Sequence, residues 1–327
     1  MNHEQIVRQS ESAYKQWAPQ WRDHANQHKN YDMKPFEDFR NTGIGKAVLL
    51  VANGYSFEEN LDVIKKNQKN VDIFACDKTL GHLLNNGITP KYCIVCDANV
   101  SYEKYLKPYE GMLQNTILFQ NVCGNPLWTK NGNWKDRYFY INKDVLNSEK
   151  EFSQISGCQN FVTAGTNVSN MMVVLLSQSD NERKQNLFAY DKMLLIGFDY
   201  SWKDGGKYYA FDDDGGGKKY YMRHVYGLSN SGKMLYTSNN LNSSASWLNL
   251  YIQAYKPNVI QCSPDSLYSF GLTGNLDEQM KYSYKPGDAS LVRSLVNERR
   301  SIEEKLFKID NRLKNIAKDH WIQSQTV

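Results

Sequence analysis

No apolar run among the 327 residues approaches the roughly 20 needed to cross a bilayer, so no membrane-spanning helix is expected. Charge of one sign is scarce too. Lys and Arg number 39 against 35 Asp and Glu, a formal net charge of +4. That excess is too small to diagnose a nucleic-acid binder, though it is compatible with anionic ligands such as nucleoside phosphates or acidic glycans. Cysteine is limited to Cys76, Cys93, Cys96, Cys123, Cys158 and Cys262. Several of these fall in expected buried strands, which suits a reducing cytoplasm better than a disulfide framework. Cys93 and Cys96 have CxxC spacing, but the two-residue period of a strand puts them on opposite faces. No second CxxC or His pair follows, so core packing is expected there instead of zinc. The opening Met1-Asn-His-Glu-Gln carries neither a basic nor an apolar leader region, so no signal peptide and a cytoplasmic location are expected. Walker A, GxGxxG, GxSxG, HExxH and kinase-type motifs are all missing, which leaves hydrolase, zinc-protease and protein-kinase readings without support.

What is there is a globular composition, 41% hydrophobic with 22 Tyr and 7 Trp. The length suits one large α/β domain with appendages. Residues 46–99 are the most informative stretch. The apolar run Ala47-Val-Leu-Leu-Val-Ala-Asn-Gly-Tyr-Ser56 stops at Asn53-Gly54-Tyr55-Ser56; a second run, 71–76, stops at Asp77; a third, 92–96, stops at Asp97-Ala98-Asn99. Helix-length segments (57–67 and 79–86) separate the runs, which indicates a parallel sheet flanked by helices. Such sheets bind ligands outside the carboxyl ends of their strands. A nucleotide-sized ligand is therefore expected at this edge.

Further strands are expected at 116–120, 137–141, 192–197 and 258–262, and helices at 163–178 and 238–255. Residues 1–40, with Trp17, Trp21, Tyr31 and Phe36 at near-helical spacing, read as a helical arm. Residues 41–272 read as the nucleotide-binding catalytic domain, and 273–327 as a basic amphipathic helical segment whose apolar stripe packs on the domain or forms a homo-oligomer. The segment 201–230 reads as a long polar loop, of a length more often functional than a plain connector.

Several residues at these strand ends are candidates for chemistry. Asn53-Gly54-Tyr55-Ser56 suits a phosphate-holding turn ahead of a helix, or equally a plain turn with Ser56 as cap. Ala164-Gly165-Thr166-Asn167 is a second such turn, with close helix–sheet packing as its alternative. Asp77, Asp97 and Asp199 suit a ribose hydroxyl, a metal or a helix cap, and Ser263 and Ser266 face the same crevice. Asp212, Asp213 and Asp214 offer Mg²⁺ ligands, or simply a solvated face. His224 suits a general base, or equally a structural histidine stacked among its neighbouring aromatics, and Tyr208 and Tyr209 suit stabilisation of a departing phosphate.

At these positions the chain resembles the 6-hydroxymethylpterin diphosphokinase MptE-like family, which includes motility accessory factor glycosyltransferases. Ala52-Asn-Gly-Tyr-Ser-Phe57, Asp77, Gly87-Ile-Thr-Pro-Lys91 and Asp97 correspond to its strand-end pattern. Tyr55 stands where that pattern has Pro, and Lys91 where it has Asp. The second half is similar to bacterial lipooligosaccharide sialyltransferases through Gly197-Phe-Asp-Tyr-Ser201, Tyr209-Ala-Phe-Asp212 and Cys262-Ser-Pro-Asp-Ser-Leu267. That resemblance makes Tyr209 a phosphate-stabilising tyrosine. The second such tyrosine falls on Ser201, beside Tyr200. In His224-Val-Tyr-Gly-Leu228 the family's first histidine is His224, and its catalytic second histidine is replaced by Leu228.

Together these imply an α/β, Rossmann-like, mostly parallel sheet that moves a sugar from a nucleotide-activated donor, a CMP-sugar, to an acceptor hydroxyl. Catalysis falls to His224, Tyr209 and Tyr200. Nucleotide and donor binding falls to Asn53, Gly54, Ser56, Asp77, Asp97, Asn99, Gly165, Thr166, Asn167, Asp199, Ser263 and Ser266, with no metal or other cofactor required. The acceptor is open among glycan, protein, lipid and modified nucleic-acid base. A Mg²⁺-dependent diphosphokinase with Asp97 and Asp199 on the metal is the alternative, and a catalytically inactive nucleotide-binding module the third reading.

Overall fold

The structure is a computed structural model that describes residues 3–178, 187–203, 207, 209–212, 225–267, 272–281 and 305. The chain divides into two units, Met1–Ser283 and Tyr284–Val327, and every strand and helix named below belongs to the first. The stripe at 289–321 lies outside the described residues apart from Lys305, as do Tyr208, Asp213, Asp214 and His224.

Eleven strands are described, in chain order β1 (Ala47–Val51), β2 (Asp72–Cys76), β3 (Tyr92–Val95), β4 (Ile117–Asn121), β5 (Asp136–Lys143), β6 (Phe161–Thr163), β7 (Lys192–Ile196), β8 (Val225–Leu228), β9 (Met234–Thr237), β10 (Val259–Gln261) and β11 (Leu272–Thr273). The helices are α1 (His3–His28), α2 (Tyr55–Glu59), α3 (Leu61–Asn67), α4 (Asp77–Asn85), α5 (Tyr102–Tyr105), α6 (Pro126–Asn131), α7 (Glu149–Ser156), α8 (Val168–Leu176), α9 (Asn239–Tyr255) and α10 (Leu276–Lys281). Nine strands form one parallel sheet in the order β11-β10-β7-β1-β2-β3-β4-β5-β6. Strands β8 and β9 pair separately as an antiparallel ribbon.

Burial on both faces explains why the central strands read as unbroken apolar runs. Val48, Leu50, Phe74, Tyr92 and Ile94 pack on one face, together with α8 and α9. Leu49, Val51, Ile73, Ala75, Cys93 and Val95 pack on the other, against Ile64 of α3 and Leu80, Leu83 and Leu84 of α4. Cys93 and Cys96 therefore belong to opposite faces, and all six cysteines are free thiols. Helix α8 is apolar nearly all round because it lies within the core shared by sheet and α9.

Helix α1 docks on α7, β5 and Val122 just past β4 through Ala25, Trp21 and Tyr14. His28 contacts the Val122 carbonyl through Nδ1 (2.9 Å) and Thr129 Oγ1 through Nε2 (3.2 Å), and burial lowers its pKa to about 4.

Two expected helices differ in detail. The 57–67 helix is two, broken at Asn60, whose side-chain amide donates to the Ser56 carbonyl (2.8 Å). The 163–178 helix starts only at Val168, because Thr163 ends strand β6 and Asn167 caps α8 by accepting from the Asn170 N–H (2.9 Å).

Candidate functional site

Strand order creates one topological switch. From β1 the chain steps outward through β2 to β6, and then returns to place β7 on the other side of β1. Open α/β sheets bind ligands in the crevice beyond such a switch, at the carboxyl ends. Here the two exit turns stay paired past the strands: Ala52 N–H donates to the Ile196 carbonyl (2.9 Å) and Gly54 N–H to that of Gly197 (3.0 Å). A Cβ on Gly197 would sit 2.0 Å from the Ala52 carbonyl oxygen, and one on Gly54 would sit 2.2 Å from Asp199 Oδ2. Gly54 is thus demanded first by the neighbouring turn. Tyr200 follows at φ 55°, a strained conformation for a bulky residue, held where its hydroxyl donates to Asn170 Oδ1 (2.5 Å).

Beneath this turn lies a buried polar network. Gly197 N–H donates to Ser56 Oγ (3.0 Å), the Ser56 hydroxyl to Ser263 Oγ (2.8 Å), and Ser56 N–H to Asp199 Oδ2 (2.9 Å). The Ser266 hydroxyl donates to the Phe198 carbonyl (2.5 Å). None of Ser56, Asp199, Ser263 and Ser266 is more than 1% exposed. Burial lifts the Asp199 pKa to about 6 against the pull of its Ser56 contacts. These four residues brace the exit turns and do not line the cavity above them.

The cavity is about 110 Å³ and is lined by Asn53, Gly54, Asp77, Lys78, Asn167, Ser169, Tyr200 and Tyr209, among others. Lys78 is its only cation among the described lining residues. The ammonium lies 4.5 Å from the centroid of the Tyr209 ring. Burial opposes that charge, but the Tyr209 phenol and the Asp77 carboxylate outweigh it and hold the Lys78 pKa above the usual value. Helices α4 and α8 both begin at this cavity, so their N-terminal dipoles add positive potential. Together with Lys78 they favour an anion there, against the Asp77 carboxylate that lines the same cavity.

Tyr209 is held from both sides. It bridges Gly54, and Ala210 N–H donates to the Asn53 carbonyl (3.0 Å). Phe211 then stacks on His82 (4.2 Å between centroids) and its N–H donates to Glu58 Oε2 (2.7 Å). Lys203 pairs with Glu59, and Lys207 with Glu58 at 2.5 Å. The described parts of 201–230 are therefore a fastened strap and not a plain loop, and residues 225–228 and 234–237 form the β8–β9 ribbon.

Asp77 is buried at the first turn of α4, where Oδ1 accepts from the Lys78 N–H (2.7 Å). Burial raises its pKa to about 6, chiefly by desolvation. A carboxylate with a raised folded pKa favours folding below about pH 4 and loses that contribution as pH rises through 6. Asp77→Asn is accordingly expected to raise stability at pH 8 by about 3 kcal/mol and to leave it unchanged at pH 4. Thermal unfolding at the two pH values reads this directly, and an equal shift at both would refute it.

Several expected ligands stand elsewhere. Gly165 N–H meets the Met171 sulfur and Thr166 Oγ1 accepts from the Asn170 amide, so this turn serves the start of α8. Asp97 and Asn99 line a separate cavity of about 310 Å³ beside β3–β5. Asp97 follows β3 and Asp199 follows β7, three strand spacings apart, or about 14 Å. At that spacing the two carboxylates do not share one Mg²⁺, and among the described residues no three His, Cys, Asp or Glu side chains cluster as metal ligands. Lys78 and Ser169 are not evident from the sequence. The one signal for Lys78 is a lysine directly after the strand-ending Asp77, at a helix start.

No curated protein matches the chain. By structure it is similar to a MAf glycosyltransferase from Magnetospirillum magneticum AMB-1, with a TM-score of 0.54 and 17% identity. The match covers 84% of this chain and 42% of that one, so the chain spans less than half the length of that protein; the likeness is one of fold. The family model for 6-hydroxymethylpterin diphosphokinase MptE-like proteins matches residues 22–205, which hold β1 to β7 and both exit turns of the crevice. With more than half of its length so matched, the chain belongs to the MptE-like family.

Proposed function

We propose that the chain transfers a sugar from a nucleotide-activated donor to an acceptor hydroxyl, with a CMP-sugar as donor. The observation that carries this reading is Lys78 over Tyr209 at the switch-point crevice, between two helix N-termini. That arrangement suits a phosphate whose charge grows as its bond to the sugar breaks. The acceptor oxygen forms a bond to the anomeric carbon, and the bond from that carbon to the phosphate oxygen breaks with its electron pair staying on phosphate. Lys78 and the Tyr209 hydroxyl stabilise that charge. His224 takes the acceptor proton as general base, an assignment that rests on its residue type and sequence context, since the resemblance places the family's catalytic histidine on Leu228. The glycosyltransferase name of the structural neighbour agrees with this reading, and the family's name supplies the competing one, a diphosphokinase. The separation of Asp97 from Asp199 disfavours the latter.

A thermal-shift panel of CMP, CDP, UDP, GDP and ATP, each with and without Mg²⁺, tests both. CMP or another sugar-donor nucleotide is expected to stabilise the protein without metal, by about 2.7 kcal/mol at 100 times its Kd. Lys78→Ala is expected to weaken that ligand about 10- to 100-fold, the worth of one charge-assisted hydrogen bond. Stabilisation by ATP with Mg²⁺ alone would move the assignment to the diphosphokinase. Silence across the panel would overturn both.

A further inference from the structure

The second cavity has the opposite chemistry from the first. Asp97 and Asp144 line it, and no Lys, Arg or His does among the described residues, so its charge repels phosphate. Two tryptophans, Trp17 and Trp21, stand one helical turn apart on α1 and both reach it. Trp21 is locked edge-on against Phe152 (6.4 Å between centroids), whereas Trp17 keeps 36% of its surface exposed. Facing them are the amides Asn99, Asn121 and Asn142, and the buried Oδ1 of Asn142 has no hydrogen-bond partner. Asn99 is held in place where its Oδ1 accepts from Gln20 of α1 (3.0 Å).

Aromatic faces beside carboxylate and amide oxygens match a ligand with apolar C–H faces and a rim of hydroxyls. We propose that this cavity binds a neutral saccharide, the glycan acceptor of the transfer. The inference rests on the transferase reading and names its acceptor class. Placement supports it: Ala164 lines this cavity and Asn167 lines the anion cavity, so a single turn separates the two. Three residues of chain span at most about 11 Å, roughly two sugar rings. An acceptor hydroxyl seated at one cavity thus lies within reach of a donor sugar projecting from the other. A nucleobase is the other flat ligand that tryptophans stack, and the test separates it.

The test titrates the full chain with lactose, maltose and N-acetyllactosamine, and separately with cytidine and adenosine, following tryptophan fluorescence. At least one saccharide is expected to change the emission saturably. Trp17→Ala, at a half-exposed position, and Asn142→Leu, close to isosteric, are expected to weaken that saccharide at least 10-fold. Their nucleotide-induced thermal shifts should stay within about 3-fold of wild-type affinity. A saccharide response with a silent nucleotide panel would keep this site and sink the transferase reading. Saccharides that fail to bind wild type, bind both variants unchanged, or are displaced by a nucleoside would overturn the site.

Discussion

Gly197→Ala is expected to destabilise the fold by about 4 kcal/mol. The residue sits at φ +75°, which costs a non-glycine residue about 1–2 kcal/mol. The larger cost is steric: the new Cβ would lie 2.0 Å from the Ala52 carbonyl oxygen, and both partners are backbone. The β1 and β7 exit turns must then separate, breaking the bond from Gly54 N–H to the Gly197 carbonyl and crowding the Ser56–Asp199 network. Overpacking of this kind costs a further 1–3 kcal/mol. A total near 4 kcal/mol is a large part of the 5–15 kcal/mol that folds a typical domain. Gly87→Ala is the control, since Gly87 has φ +71° but nothing within 4 Å of the place a methyl would take. It should cost about 1 kcal/mol in chemical denaturation. If the two variants unfold alike, backbone crowding at the switch point is not what demands Gly197.

Tyr209→Phe is expected to lower the rate of transfer 10²- to 10³-fold while donor affinity stays within about 3-fold. The substitution keeps the ring beneath the Lys78 ammonium and the bridge to Gly54, and removes only the hydroxyl. A hydrogen-bond donor aimed at charge that develops on the leaving phosphate acts in the transition state, so its loss appears in kcat. The readout is release of the nucleoside monophosphate from the sugar donor under saturation. A rate reduced less than about 5-fold would remove the hydroxyl from the mechanism. A KM raised without a change in kcat would make Tyr209 a plain binding residue.

Much of the fold is legible in the sequence because it is local. The apolar runs that become β1, β2, β3 and β7 are set by burial on both faces, and the polar residues after them mark where each strand leaves the core. The misplacements share one cause. Asn53 and Asp97 look equivalent as strand-end polar residues, yet β7 lies against β1 while β3 lies two strands beyond. Ser56, Ser263 and Ser266 have the chemistry of ligands, but the return of β7 beside β1, and of β10 beside β7, buries them in a brace. Lys78 acquires its place in the cavity only because Tyr209, far along the chain, packs against its ammonium.

By itself, then, the sequence determined the parallel α/β class, the strand ends and the family pattern, since each depends on side chains within one short segment. Which strand ends meet was decided only by tertiary structure. The β7–β1 pairing, the strap carrying Tyr209 and the docking of α1 over β3–β5 join residues far apart in the chain. Their cost in chain entropy is met by burial of surfaces that no local pattern reveals. That long-range pairing splits one expected crevice into an anion cavity around Lys78 and a tryptophan-lined, acidic cavity beside it.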